Sequence, residues 1–159
     1  MNKNFIEILK LYKPNTLYWY NRIKLFLIPY IKVEKLVPKN GFIIDLGCSH
    51  GLFTNLLGFS SEKREVLGLE INQDRIKYAN IGIKNTKFIT GDITKVDIPQ
   101  ADCIIFTHVL QATNNQRKKM ALDDNSAYFS NVRTSFIKTI LFYFYYFRFY
   151  TYIQKSYLF

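Results

Sequence analysis

Residues 42–53 read Phe-Ile-Ile-Asp-Leu-Gly-Cys-Ser-His-Gly-Leu-Phe, and no other stretch constrains the fold as much. A short apolar run, Phe42, Ile43 and Ile44, enters Asp45 and then two glycines four apart, Gly47 and Gly51. This pattern predicts a buried strand that breaks into a tight loop before a helix. Glycine has no side chain to obstruct a backbone that must turn sharply or lie against a ligand. The amides at the start of the following helix can meet an anionic group. Asp45 falls at the carboxyl end of the strand, where open α/β sheets place their ligands. With 159 residues, 48% of them hydrophobic, the chain has room for one cored domain.

The glycine spacing separates two nucleotide-binding readings. A dinucleotide fingerprint requires glycines at the first, third and sixth places, where this chain has Gly47, Ser49 and Leu52. Asp-Leu-Gly-Cys-Ser-His-Gly instead resembles the first motif of class I S-adenosylmethionine (SAM) dependent methyltransferases, Asp/Glu-x-Gly-x-Gly-x-Gly, with Ser49 at the middle glycine. The resemblance covers about residues 18–111 and is most specific over 37–92. It implies a Rossmann-like doubly wound α/β sheet, with strands one to four present and the C-terminal half incomplete or atypical, together with SAM as cofactor.

What the resemblance implies about the site runs along the chain in order. Gly47 and Gly51 lie beside the methionine moiety, and Asp45 and Cys48 belong to the same cofactor-binding set. A second strand over residues 66–70, reached through a helix at 52–57 and a charged turn at 60–65, ends in Glu70, which takes the ribose hydroxyls; Ile71 follows it. A carboxylate suits that task because it accepts two hydrogen bonds at once, each strengthened by its charge. A helix is expected over residues 74–80, capped near Asn72 and Gln73. After a third strand at residues 86–90, Asp92 and Ile93 fall where the family meets adenine. A fourth strand at 103–106 leads to Thr107, in the cofactor set, and His108, the candidate general base. His50, in the glycine loop, is the other imidazole. The fourth edge lacks Asn/Asp-Pro-Pro-Tyr, which argues against the methyltransferases that modify the exocyclic amino groups of bases.

The formal charge of +10 is confined to the flanks. Residues 1–40 hold 8 Lys/Arg against 2 acids, residues 41–124 hold 10 against 10, and residues 125–159 hold 4 against none. The division expected is therefore an N-terminal helical lid or packing segment (1–40), a SAM-binding core (41–124) and an aromatic basic tail (125–159). No nucleic-acid module accompanies the charge, so nucleic acid is disfavoured as a partner, while peripheral membrane contact stays open. Cys48 and Cys103 have neither metal nor redox spacing and suit a reducing, cytoplasmic setting.

Helical spacing over residues 4–13 stops at Pro14. A second amphipathic segment over 19–37 bends at Pro29 and suits a helix packed on the sheet edge; the resemblance, in which leading helices often form a lid, makes Trp19, Tyr20 and Phe26 candidates for closing the substrate side. Residues 114–124 suit a helix after strand four. The tail, residues 128–159, carries 14 of the 27 aromatic residues, and its uninterrupted run over residues 141–147 has neither a helical nor a strict alternating period. It either covers the edge of strand four or marks a truncated or frame-shifted relative of a longer enzyme, the reading favoured here. The functional expectation is methyl transfer to a small-molecule, lipid or sugar acceptor. The alternatives are a non-catalytic SAM-binding remnant and a membrane-surface or polyanion-binding protein that uses the basic arms.

Overall fold

The computed structural model describes residues 3–93, 95–107, 142–143 and 150–155. Four parallel strands form its centre: β1 (Gly41–Leu46), β2 (Arg64–Glu70), β3 (Thr86–Thr90) and β4 (Cys103–Thr107). Their order in the sheet is β3-β2-β1-β4. β1 pairs with β2 from Gly41 opposite Arg64 to Leu46 opposite Leu69, and with β4 from Ile43 opposite Cys103 to Leu46 opposite Phe106. The chain builds outward from β1 to β3 and returns on the other side for β4. That reversal opens a crevice at the carboxyl ends of the strands.

β5 (Phe142–Tyr143) and β6 (Tyr150–Lys155) extend the sheet beyond β4. β6 runs antiparallel along β4, from Thr107 opposite Thr151 to Cys103 opposite Lys155. These residues therefore cover the edge of strand four, whose backbone groups would otherwise lie unpaired. The expected helix at 114–124 lies outside the described residues.

Alternation along the strands sorts their side chains onto two faces. Ile43, Val66, Cys103 and Ile105 join the larger core with residues of α1 (Lys3–Leu11), α2 (Asn15–Leu27), α3 (Tyr30–Glu34) and α4 (Leu52–Ser60). Ile44, Leu46, Leu69 and Ile104 face the other way, onto Ile98 and Ala101. The N-terminal helices thus share a core with the sheet. The segment expected as one bent helix is two, because Pro29 cannot donate into a helical ladder and Ile28 before it is extended (φ −110°, ψ 131°). The helix after β2, α5 (Gln73–Ile76), is shorter than expected, and Asn72 caps it by accepting from the Asp74 and Arg75 amides.

The charged stretch 60–65 is not wholly a turn. Arg64 already belongs to β2 and is fully buried. Its guanidinium donates to the carbonyls of Pro38 (2.6 Å), Leu57 (3.0 Å) and Val37 (3.0 Å) and to the Glu34 carboxylate (2.9 Å). Burial alone would raise the Glu34 pKa, but hydrogen bonds from Lys39, Ser60 and Arg64 hold it below the usual glutamate value. This knot ties α3, the approach to β1, the end of α4 and the start of β2.

Candidate functional site

The glycine loop leaves β1 through three left-handed residues at alternate positions: Gly47 (φ +76°), Ser49 (φ +55°) and Gly51 (φ +72°). The Gly47 and Cys48 amides both donate to the Leu69 carbonyl, at 2.7 and 3.1 Å, which pins the loop against β2. Gly51 is required by packing as well as by its φ. A Cβ there would lie 2.7 Å from the Phe88 ring and 2.8 Å from Ala79. Ser49 occupies a conformation that costs a residue with a Cβ roughly 1–2 kcal/mol, which is the physical reason for glycine at that place in the family pattern.

Glu70 ends β2 beside this loop. One carboxylate oxygen accepts from the Ser49 amide (2.9 Å) and the other from the Asn72 amide (3.1 Å), while Arg75 lies 4.0 Å away. The residue is 5% exposed. The Gly91 amide donates to the Glu70 carbonyl (3.0 Å), which brings the exit of β3, with Asp92 and Ile93, alongside. Ile71 is exposed at the rim. Asp45 is fully buried and accepts from the Thr54 hydroxyl (2.6 Å), so α4 holds it in place. Thr107 ends β4, one residue past the pairing of Leu46 with Phe106. His108 lies outside the described residues.

α2 packs its inner face toward the loop. Tyr20 meets His50 edge-on with ring centroids 5.4 Å apart, and Tyr78 approaches His50 at 6.4 Å from α5's side. His50 also contacts the Ser49 hydroxyl through Nδ1 (3.2 Å). Burial, then Lys24 and Arg75, lower its pKa, so the imidazole is neutral near pH 7. Burial pushes the Cys48 thiol far up, with Asp45 and Glu70 adding to the effect, so it stays protonated. Burial lowers the Lys24 pKa, Asp45 and Glu70 oppose that shift, and Arg75 adds to it. All three aromatic lid candidates are exposed, Phe26 at 89%, and of them Tyr20 meets the loop through His50.

Lys24 was missed in the sequence because nothing in a scattered run of lysines marks the one that turns inward. Its position seven residues after Leu17 and four before Ile28, both buried, is the signal that was there to find. Asn21, on the same inner face, is fully buried, with neither amide atom hydrogen-bonded.

A parallel sheet ordered 3-2-1-4, a glycine loop after its central strand and an acid closing the next define a Rossmann-like nucleotide-binding domain. A methyltransferase-domain family model matches residues 38–148. The chain belongs to the class I SAM-dependent methyltransferase family. Among solved structures it is similar to a SAM-dependent methyltransferase from Aquifex aeolicus, at 14% identity and TM-score 0.55, covering 82% of this chain and 92% of that one. It is also similar to a TehB-like SAM-dependent methyltransferase from Corynebacterium glutamicum, at 11% identity and TM-score 0.52, covering 80% and 86%. At such identities the likeness is one of fold. Coclaurine N-methyltransferase bound to N-methylheliamine and SAH matches at 13% identity and TM-score 0.43 over 50% of this chain, which spans 36% of that enzyme. No curated protein matches the chain.

Proposed function

We propose that this chain binds SAM at the carboxyl ends of β1, β2 and β3 and transfers its methyl group to a small-molecule, lipid or sugar acceptor. The observation that carries the reading is the Glu70 carboxylate. Each oxygen has two lone pairs and gives one to a backbone amide, of Ser49 or Asn72. Each therefore keeps capacity for a ribose hydroxyl. The remaining residues fit the other parts of the group. The buried Asp45 suits an α-ammonium, and Lys24 with the unpartnered Asn21 amide suits an α-carboxylate. Asp92 and Ile93 suit adenine, and Ile71 and Thr107 complete the set at the carboxyl ends of β2 and β4.

When bound, SAM supplies a methyl group on a sulfonium, already activated for in-line attack. The protein's contribution is then chiefly positioning and exclusion of water. The glycine loop, pinned to Leu69, orients the methionine end, and Tyr20 with His50 closes it from the α2 side. Where the acceptor must lose a proton, neutral His50 is the described base, with His108 the alternative from the sequence. Turnover lost in His50→Gln and kept in His108→Gln fits the first assignment, and the reverse result fits the second.

The test is calorimetric titration of SAM into the full chain, with Glu70→Ala as control. Saturable binding that the substitution weakens supports the reading, whereas a folded chain that takes up no SAM overturns it. Binding without methyl transfer to any acceptor class would favour the non-catalytic alternative.

A further inference from the structure

The cofactor site leaves the outer face of α2 unused. Leu17, Asn21 and Ile28 turn inward, while Trp19, Ile23, Phe26 and Leu27, spaced by three and four residues, are 57%, 57%, 89% and 40% exposed. Single exposed hydrophobes are ordinary, but a contiguous helical stripe that includes Trp and Phe marks an interaction surface. The first 40 residues, which carry this face, are basic, with 8 Lys/Arg against 2 acids. Lys10, Lys13, Arg22, Lys32, Lys35 and Lys39 are exposed. Of the two acids in the first 40 residues, Glu34 is buried against Arg64, which leaves Glu7 as the exposed one. The Arg22 guanidinium lies 5.3 Å over the Trp19 ring, so cation and aromatic share one face.

We propose that this face docks on an anionic lipid bilayer. α2 lies in the interfacial plane, with Trp19, Ile23, Phe26 and Leu27 among the headgroups and Arg22 and the neighbouring lysines on lipid phosphates. Charge complementarity selects this occupant. A second copy would set two cationic faces against each other, and RNA would meet the charges but leave Ile23, Phe26 and Leu27 in water. With 13 residues α2 is shorter than the ~20 that a bilayer span needs, so the proposed mode is one of lying along the surface.

Trp19 is the chain's one tryptophan, so its fluorescence reads the face directly. The full chain is mixed with vesicles of phosphatidylcholine alone or with added phosphatidylglycerol. Expected with the anionic vesicles are a blue shift of Trp19 emission, loss of acrylamide quenching and co-sedimentation, all reversed by high salt. Phe26→Glu should weaken vesicle partition by about tenfold or more, with the circular dichroism spectrum unchanged because the side chain is already exposed. Ile23→Gln serves as the second variant should the first misfold. Four results overturn the proposal: Trp19 shielded before vesicles are added, equal binding to neutral vesicles, undiminished binding by the variants, or an emission shift given by RNA and not by vesicles. If that early shielding depends on concentration, a second copy is the occupant; if it does not, the chain's own residues are.

Discussion

Glu70→Gln keeps the shape of the side chain but removes its charge and turns one oxygen into an amino group. The carboxylate accepts from two backbone amides, Ser49 at 2.9 Å and Asn72 at 3.1 Å. Glutamine can accept from one and must point its own N–H groups at the other. A hydrogen bond to a charged group contributes about 1.5–3 kcal/mol, and at 5% exposure water offers the orphaned amide little relief. The free chain should lose stability by about one such bond. Replacing a charged acceptor at the ribose weakens cofactor binding by a similar increment, about ten- to 150-fold. Calorimetry with S-adenosylhomocysteine and with its 2′,3′-dideoxy analogue separates the two effects. The native chain should prefer the natural ligand strongly, and Glu70→Gln should discriminate between them far less. Equal weakening of both ligands would mean that Glu70 only holds the loop, and unchanged affinity for both would remove it from the site.

The other expectations concern stability and the loop. Arg64→Met should destabilise the chain by about 3–5 kcal/mol in chemical denaturation, because three carbonyls and Glu34 lose a fully buried donor; a loss under about 1 kcal/mol would refute the role given to the knot. The Glu34 pKa lies below its ordinary value of 4.5, so its contribution is fully present above that pH and fades as pH falls through the lower folded value. Melting temperature against pH should accordingly be flatter below the ordinary value in Glu34→Gln than in the native chain. Ser49→Gly relieves a left-handed φ at some entropic cost, so thermal denaturation should show a gain of about 0–1 kcal/mol and titration tighter SAM binding; a clear destabilisation would contradict this. Asn21→Leu removes two buried, unpartnered amide atoms and should raise free-chain stability by about 1–3 kcal/mol while weakening SAM binding. Unchanged affinity would take Asn21 out of the site.

Much of the fold was legible because its signals are local. The apolar runs of the first two strands ended in Asp45 and Glu70, and β3 at Thr86–Thr90 and the Asn72 cap were read from neighbouring residues alone. The order of the site followed, since four βα edges in sequence must end at one side of a parallel sheet. Arg64 was taken for a turn residue because most of its hydrogen-bond partners, Leu57, Pro38, Val37 and Glu34, stand 7 to 30 positions away in sequence. Lys24 looked like any other lysine until α2 was packed against the loop. The glycine at position 51 was legible as a necessity but not in its cause, since Phe88 and Ala79, which fill the space of its missing Cβ, come from β3 and the stretch after α5. The sequence by itself determined the four parallel strands and the glycine loop, because backbone propensity and hydrophobic period act over a few residues, and the family resemblance of that loop supplied the cofactor. Only the tertiary structure decided which charges are buried, which face of α2 stays in water and what lies along the edge of β4, because those depend on contacts between distant segments.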